Sequence, residues 1–294
     1  MKRIAAPLAF LVSTSIFAEP DFDSYWHDGK AELDGYRLQV SRYGEPREGR
    51  AVLIYVTEPF SESKRVKVDD PSKNPSDVTD VLKLNAVRDF QTGIYDYNTM
   101  VSTFVRSKDF SPVKVSFSSA EWCGHVHQEL LFSPNKITGQ YFSYFEGETG
   151  PRNLEHKANG VIEDNLLIQL RGLRGDFLKP GEKKSFPFLP SVYHGRLAHK
   201  PLAWTTAEIE RSAEAQTIGV PAGQFTISSY VVKIADGRTG KFLIERAYPH
   251  RVVRWELSPD ISAEMTGSAR LEYWRLHKNG DESHLKALGI QPKP

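Results

Sequence analysis

Apolar and polar residues alternate with a period of two over long runs of this sequence, and the runs are broken by turn-forming residues. Successive side chains of a β-strand point to opposite faces, so this period marks strands with one buried face and one wetter face. Leu33, Tyr36, Leu38 and Val40 stand among polar neighbours. Val113, Val115 and Phe117 alternate, and the pattern continues through Trp122, His125, His127 and Glu129 to Phe132. The run 51–56 (AVLIYV) is apolar throughout, as in a strand buried on both faces. Gly44-Glu45-Pro46, Gln91-Thr92-Gly93 and the stretch 236–240 supply turns, and the proline-bearing stretch 69–80 reads as a surface loop. Strands joined by short turns with few helices predict antiparallel pairing. Strands of ten or more residues predict a mainly β fold, with long antiparallel strands in a curved sheet, half-barrel or barrel.

One or two short helices complete the expectation. One falls within 161–173, where Leu166, Leu167, Leu170 and Leu173 have helical spacing and Asp164 is a candidate cap, although the same run also suits a strand. The other spans 282–288. The stretch 147–160 is the best candidate linker or long loop, dividing the body into candidate halves 19–147 and 161–294.

The first eighteen residues have the pattern of a secretory signal: Lys2 and Arg3, an apolar run over 4–12, then small and hydroxyl residues down to Ala18. That run is shorter than the roughly 20 residues needed to span a bilayer. Residues 19–294 are then a single large β domain delivered to the periplasm or secreted, without a transmembrane segment. No cysteine lies near the cleavage position to carry a lipid. Losing residues 1–18 removes two basic residues and no acidic one, taking the net charge from +1 to −1. A near-neutral body with both signs interspersed gives no long-range pull on nucleic acid.

The sequence has one cysteine, Cys123, so no intramolecular disulfide can form. The thiol is buried and inert, a ligand, or reactive. On a regular strand Cys123, His125 and His127 would point to one face, with Glu121 and Glu129 continuing the row. Thiolate and imidazole in such a row suit zinc or copper, and an open coordination position would permit hydrolysis. A Cys–His nucleophilic pair is a further option, and Gly124 could bulge the strand and spoil the alternation. The hairpin 88–98 is polar and aromatic, so Asp96 and Tyr97, together with Trp122, are candidate binding residues beside that row. Asp89 belongs to the same hairpin. His194, Arg196 and His199 flank a second histidine-bearing strand and would complete a site with His125 and His127 if the fold brings the two halves together. The five tryptophans suit a core, or a groove that stacks apolar groups or glycans.

Two stretches carry a resemblance. Residues 218–255 hold a Val-Pro-Ala-Gly-x-Phe corner at 220–225, a long strand, a turn, and Pro-x-Arg-Val-Val-Arg-Trp at 249–255. This resembles an uncharacterised family of exported bacterial β proteins, known as a domain of unknown function. The resemblance implies a long-stranded curved sheet in the style of periplasmic lipoprotein carriers. The first half is similar to bacterial proteins sharing Gly-Lys-Ala-Glu-Leu (29–33), Arg-Asp-Phe-Gln-Thr-Gly-Ile-Tyr-Asp-Tyr-Asn (88–98) and Glu-Trp-Cys-Gly-His (121–125). Members are often labelled septum formation inhibitors of the Maf type. The nucleotide pyrophosphatases owning that label have a Ser-Pro-Arg-Arg loop near the start, which this sequence lacks, so their chemistry is not implied.

Two functional readings follow. The first is non-catalytic binding of a lipid-like ligand or an envelope protein partner, with an incompletely filled concave interior as the binding space. The alternative is a metal-dependent or thiol-dependent hydrolase using Cys123, His125 and His127.

Overall fold

The computed structural model describes residues 21–292, and the predicted secretory segment 1–18 lies outside the described residues. Eight strands form the first arm of one sheet. They are β1 (Ala31–Arg42), β2 (Glu45–Ser61), β3 (Val78–Thr92), β4 (Tyr95–Arg106), β5 (Pro112–Glu121), β6 (Gly124–Phe132), β7 (Lys136–Ser143) and β8 (Gly150–Glu155). The second arm has β9 (Val161–Ile162), β10 (Lys183–Leu189), β11 (Thr205–Arg211), β12 (Gln216–Val220), β13 (Gly223–Ile234), β14 (Thr239–Glu245), β15 (Val252–Ser258) and β16 (Ile261–Leu271). The strand order is β8-β7-β6-β5-β4-β3-β2-β1-β16-β15-β14-β13-β11-β10-β9, with β12 paired to β13. The two arms share this sheet because β1 pairs with β16, Ala31 opposite Leu271. β8 and β9 end the order, so the sheet is curved and open. Trp204 covers one of these edges, its Nε1–H donating to the Glu155 carbonyl of β8 at 2.8 Å.

The predicted long antiparallel strands are present. Ala51, Leu53 and Tyr55 of β2 face the concave core, while Val52, Ile54 and Val56 pack on the convex side, which accounts for the unbroken apolar run. Two details differ from the sequence expectation. The stretch 147–160 contains edge strand β8. The segment 192–198, expected as a strand, is the helix α3 introduced below.

The concave side is filled by the chain itself, unlike the incompletely filled half-barrel expected. The helix α1 (Phe22–Trp26) and the four-residue helix α2 (Leu166–Gln169) press Phe22, Trp26, Leu166, Leu167 and Ile168 onto the inner faces of β1–β4 and β11–β16. The helix α3 (Val192–Ala198) lays Val192 and Tyr193 on Phe117, Val126 and Leu130. Between this plug and the sheet, a cavity bounded by Arg88, Thr103, Asp164, Leu167, Ser191 and Trp255 measures about 30 Å³. That is room for water rather than for a lipid chain.

Charge is buried in the plug. Arg171 meets Glu32 of β1 at 2.7 Å, with neither side chain exposed. Its guanidinium also donates to the carbonyls of His250 and Pro249 and lies over the Tyr55 ring at 4.3 Å. Asp34 lies on the same face of β1, and burial, reinforced by the neighbouring Glu32, pushes its carboxyl well above the usual range. Asp164 does not cap α2. Its carboxylate instead accepts from the Ser191 hydroxyl and the Val192 N–H at the start of α3. Burial outweighs these bonds and pushes it up to about 6.

The C-terminal segment packs on the convex face. A 3-10 helix over Asp281–Leu288, on the stretch expected to be helical, places Leu285 and Leu288 against Leu33, Val52 and Ile54. The approach is close enough that a Cβ on Gly35 would lie 2.2 Å from the Leu288 oxygen, and one on Gly267 2.3 Å from the Ala287 oxygen. Glycine is required at both positions by contact rather than by a special dihedral.

Candidate functional site

The hairpins β1–β2, β3–β4, β5–β6 and β7–β8 all turn at the same end of the sheet, because the strands form an antiparallel meander. Their tips expose large apolar side chains. Five of the seven exposed large hydrophobic residues among the described residues lie here: Tyr43, Ile94, Trp122, Phe142 and Tyr144. Beside the tips, on the convex face, is a groove of about 840 Å³. Asp96, Tyr97, Trp122 and His125 line it, with Arg50, Asp89, Gln91 and Asn98.

Strand register builds the groove floor. Arg50 of β2 is opposite Asp89 of β3, Asp89 opposite Asn98 of β4, Asn98 opposite Ala120 of β5, and Ala120 opposite His125 of β6. These five residues make one transverse row, with Ala120 as its low point. Asn98 donates to Asp89 at 2.5 Å, and Arg50 Nε–H donates to the same carboxylate at 3.4 Å. Gln91 and Asp96 form the next pair toward the tip.

At the tip end of the groove stands Trp122, 70% exposed. Tyr95 and Tyr97 alternate with Asp96 and pack against the concave core, with the Tyr95 ring 6.3 Å from that of Trp122. The Tyr95 hydroxyl donates to Tyr43 at 3.3 Å, and the Tyr43 and Tyr97 hydroxyls are 2.9 Å apart. Tyr97 stacks on Phe90 at 4.7 Å, and Arg42 lies over the Tyr43 ring at 4.5 Å. Bonds from Tyr95 and Tyr97 bring the Tyr43 hydroxyl below its usual range. Burial and the Tyr43 bond together push that of Tyr97 up.

From the concave side α3 braces this end. Arg196 meets Glu121 at 2.5 Å with both side chains buried, and the guanidinium lies over Phe145 at 4.3 Å. His199 Nδ1 is 2.6 Å from Glu148, which also accepts from the Ser143 hydroxyl. Against the upward push of partial burial, these bonds hold the Glu148 carboxyl below its ordinary value.

Asp96, Tyr97 and Trp122, predicted as binding residues, all border one groove with His125, but the Tyr97 ring is buried in the core, stacked on Phe90. The expected row of Cys123, His125 and His127 does not persist. Cys123 is exposed in the β5–β6 turn, whereas His125 and His127 lie on the convex face of β6. The hairpin reverses at Trp122-Cys123, and Glu121 pairs across it with Gly124, so Glu121 faces inward to Arg196 instead of extending the row. Glu129 is engaged by Lys114 at 2.5 Å. Among the described residues, no group of three or more His, Cys, Asp or Glu side chains stands where it could hold a metal ion. His194, Arg196 and His199 do reach the first arm, but from the concave side, opposite the face that carries His125 and His127. The sequence reading missed Arg50, Asn98 and Gln91, since only cross-strand register brings them beside Asp96.

A second recess, of about 460 Å³, lies beneath the C-terminal segment. Leu33, Val52, Ile54, Val87, Leu271 and Leu285 are among its walls.

No protein-family model and no curated protein matches the chain. Among solved structures, the chain is similar to a beta-barrel-like protein of the domain of unknown function DUF1849 from Brucella abortus. The TM-score is 0.50 at 9% identity, covering 82% of this chain and 98% of that one. At that identity the likeness is one of fold, and it agrees with the curved β architecture. No helix of the described residues is long and apolar enough to cross a membrane.

Proposed function

We propose that this chain is an exported envelope protein that binds a ligand without transforming it, through the groove at the hairpin end of its convex face. One observation carries the reading. Side chains from five strands and a hairpin tip converge on an open groove of about 840 Å³, while the chain's own plug occupies the concave side. The size falls within the range of small-molecule and oligomer sites. The hydrolase alternative needs Cys123, His125 and His127 to meet, and their placement in a turn and on an open strand face favours binding over catalysis.

The test is co-sedimentation of the purified protein with an isolated envelope fraction, comparing wild type with Trp122→Ala and Asp96→Ala. Retention of the wild type with loss of both variants is the expected result. Equal retention of all three would remove the groove from the function.

A second reading, a lipid-like ligand, is favoured by the apolar recess beneath the C-terminal segment, since the concave cavity is too small for an acyl chain. Native mass spectrometry of gently purified protein would show a lipid-sized adduct that Val87→Trp, which fills the recess, removes. A bare mass for the wild type would end that reading.

A further inference from the structure

We propose that the ligand of the hairpin-end groove is a glycan, an uncharged or weakly charged oligosaccharide lying across the strands. The proposal rests on the reading of that groove as the binding site and names its ligand class.

Three features point to a sugar. The first is an exposed aromatic ring. Trp122 lines the groove and presents most of its ring to solvent. The C–H-rich face of a pyranose packs on such a surface, and the ring carries a polarised π-face that suits it.

The second is the mixture of polar groups. Every sugar hydroxyl both donates and accepts. The groove offers carboxylates that accept (Asp89, Asp96), a guanidinium that donates (Arg50), and amides that do both (Asn98, Gln91). His125 can serve in either sense. Competing ligands fit less well. An acyl chain needs an apolar floor, which lies instead in the recess beneath the C-terminal segment. A polyanion would meet two carboxylates against one arginine. An extended peptide adding to a sheet needs an unpaired strand edge, and the strands under this groove are paired on both sides.

The third is the layout. The row Arg50–Asp89–Asn98–Ala120–His125 crosses five adjacent strands, which at ordinary strand spacing spans about 19 Å. That length suits several linked sugar rings, and Ala120 leaves space where a ring can settle beside Trp122.

The experiment is isothermal titration calorimetry of the full mature chain with three neutral tetrasaccharides: β-1,4-linked N-acetylglucosamine, β-1,4-linked glucose and α-1,4-linked glucose. Saturable binding of at least one is expected, weakened about tenfold or more by Trp122→Ala and several-fold by Asn98→Ala, with thermal unfolding unchanged in both variants. Absence of binding to all three at millimolar sugar would overturn the glycan assignment, as would binding that Trp122→Ala leaves intact. Envelope co-sedimentation separates this failure from failure of the underlying reading. If sedimentation still depends on Trp122 while no sugar binds, the groove stands and the ligand is of another class. If sedimentation is also indifferent to Trp122, both fall.

Discussion

On the concave face Arg171 lies against Glu32 at 2.7 Å with no water contact, and the chain folds over both. On the convex face of the same sheet, Arg50, Asp89 and Asn98 also form a hydrogen-bonded row, but at the floor of an open groove. The same residue types serve different ends because solvent sets their worth. A buried charge is costly without its partner, whereas an accessible pair contributes little to stability. The inner face therefore spends its polar groups on fixing the plug, and the outer face can change its polar groups without unfolding. This contrast gives substitutions on the two faces different expected outcomes.

Arg171→Met should have the largest effect. It leaves Glu32 without its cation and Asp34 beside it, and loss of one partner of a buried pair costs about 3–5 kcal/mol. Urea unfolding measures this, and a loss below about 1 kcal/mol would break the comparison. Next comes Asp164. Burial pushes its folded-state carboxyl up to about 6, above the ordinary 3.8 of the unfolded chain. The folded state thus binds more protons between those values, and wild-type stability falls as pH rises through that window. Asp164→Asn removes this slope, so the difference in unfolding free energy between the two proteins should change by about 2 kcal/mol from pH 4 to pH 6. A flat difference would show that the carboxyl is not held in the way its surroundings imply.

Gly267→Ala acts on the convex face but at a tight contact. Its new Cβ would press on the backbone of Ala287 and Leu288, at a cost of about 1–3 kcal/mol. Limited proteolysis should then cut the C-terminal segment while the sheet stays resistant. The smallest effect belongs to Trp122→Ala, expected to shift stability by less than about 0.5 kcal/mol. A larger shift in thermal unfolding would mean that the rim is part of the core.

Much of the architecture is legible in the sequence. Alternation places the strands, turn chemistry places most hairpins, and the polar 88–98 hairpin flags the groove. The parity of β1 was also readable. Glu32, Asp34, Tyr36, Leu38 and Val40 are all even-numbered and face inward, whereas Leu33 belongs to the convex side under the C-terminal segment. The pattern is easily misread because two of the inward residues are charged, and only Arg171, far along the chain, makes their burial tolerable. The Cys123 row fails for a different reason. Alternation holds within a strand and ends at a turn, and Glu121 and His125 belong to separate strands. Register across strands, which assembles Arg50, Asp89, Asn98 and His125, cannot be read from any one segment.

The pairing of β1 with β16 has a consequence in time. Ala31 finds its partner at Leu271, so the seam uniting the two arms closes a loop of nearly the whole described chain. Closing so long a loop carries a large entropy cost before any contact repays it, and folds rich in such distant pairings form slowly. Each arm can begin as local hairpins, but the inner strand of the first arm must wait for the last strand of the second. In pulse-labelled hydrogen exchange during refolding, amides of β4–β6 should gain protection before the β1 amides that bond to β16.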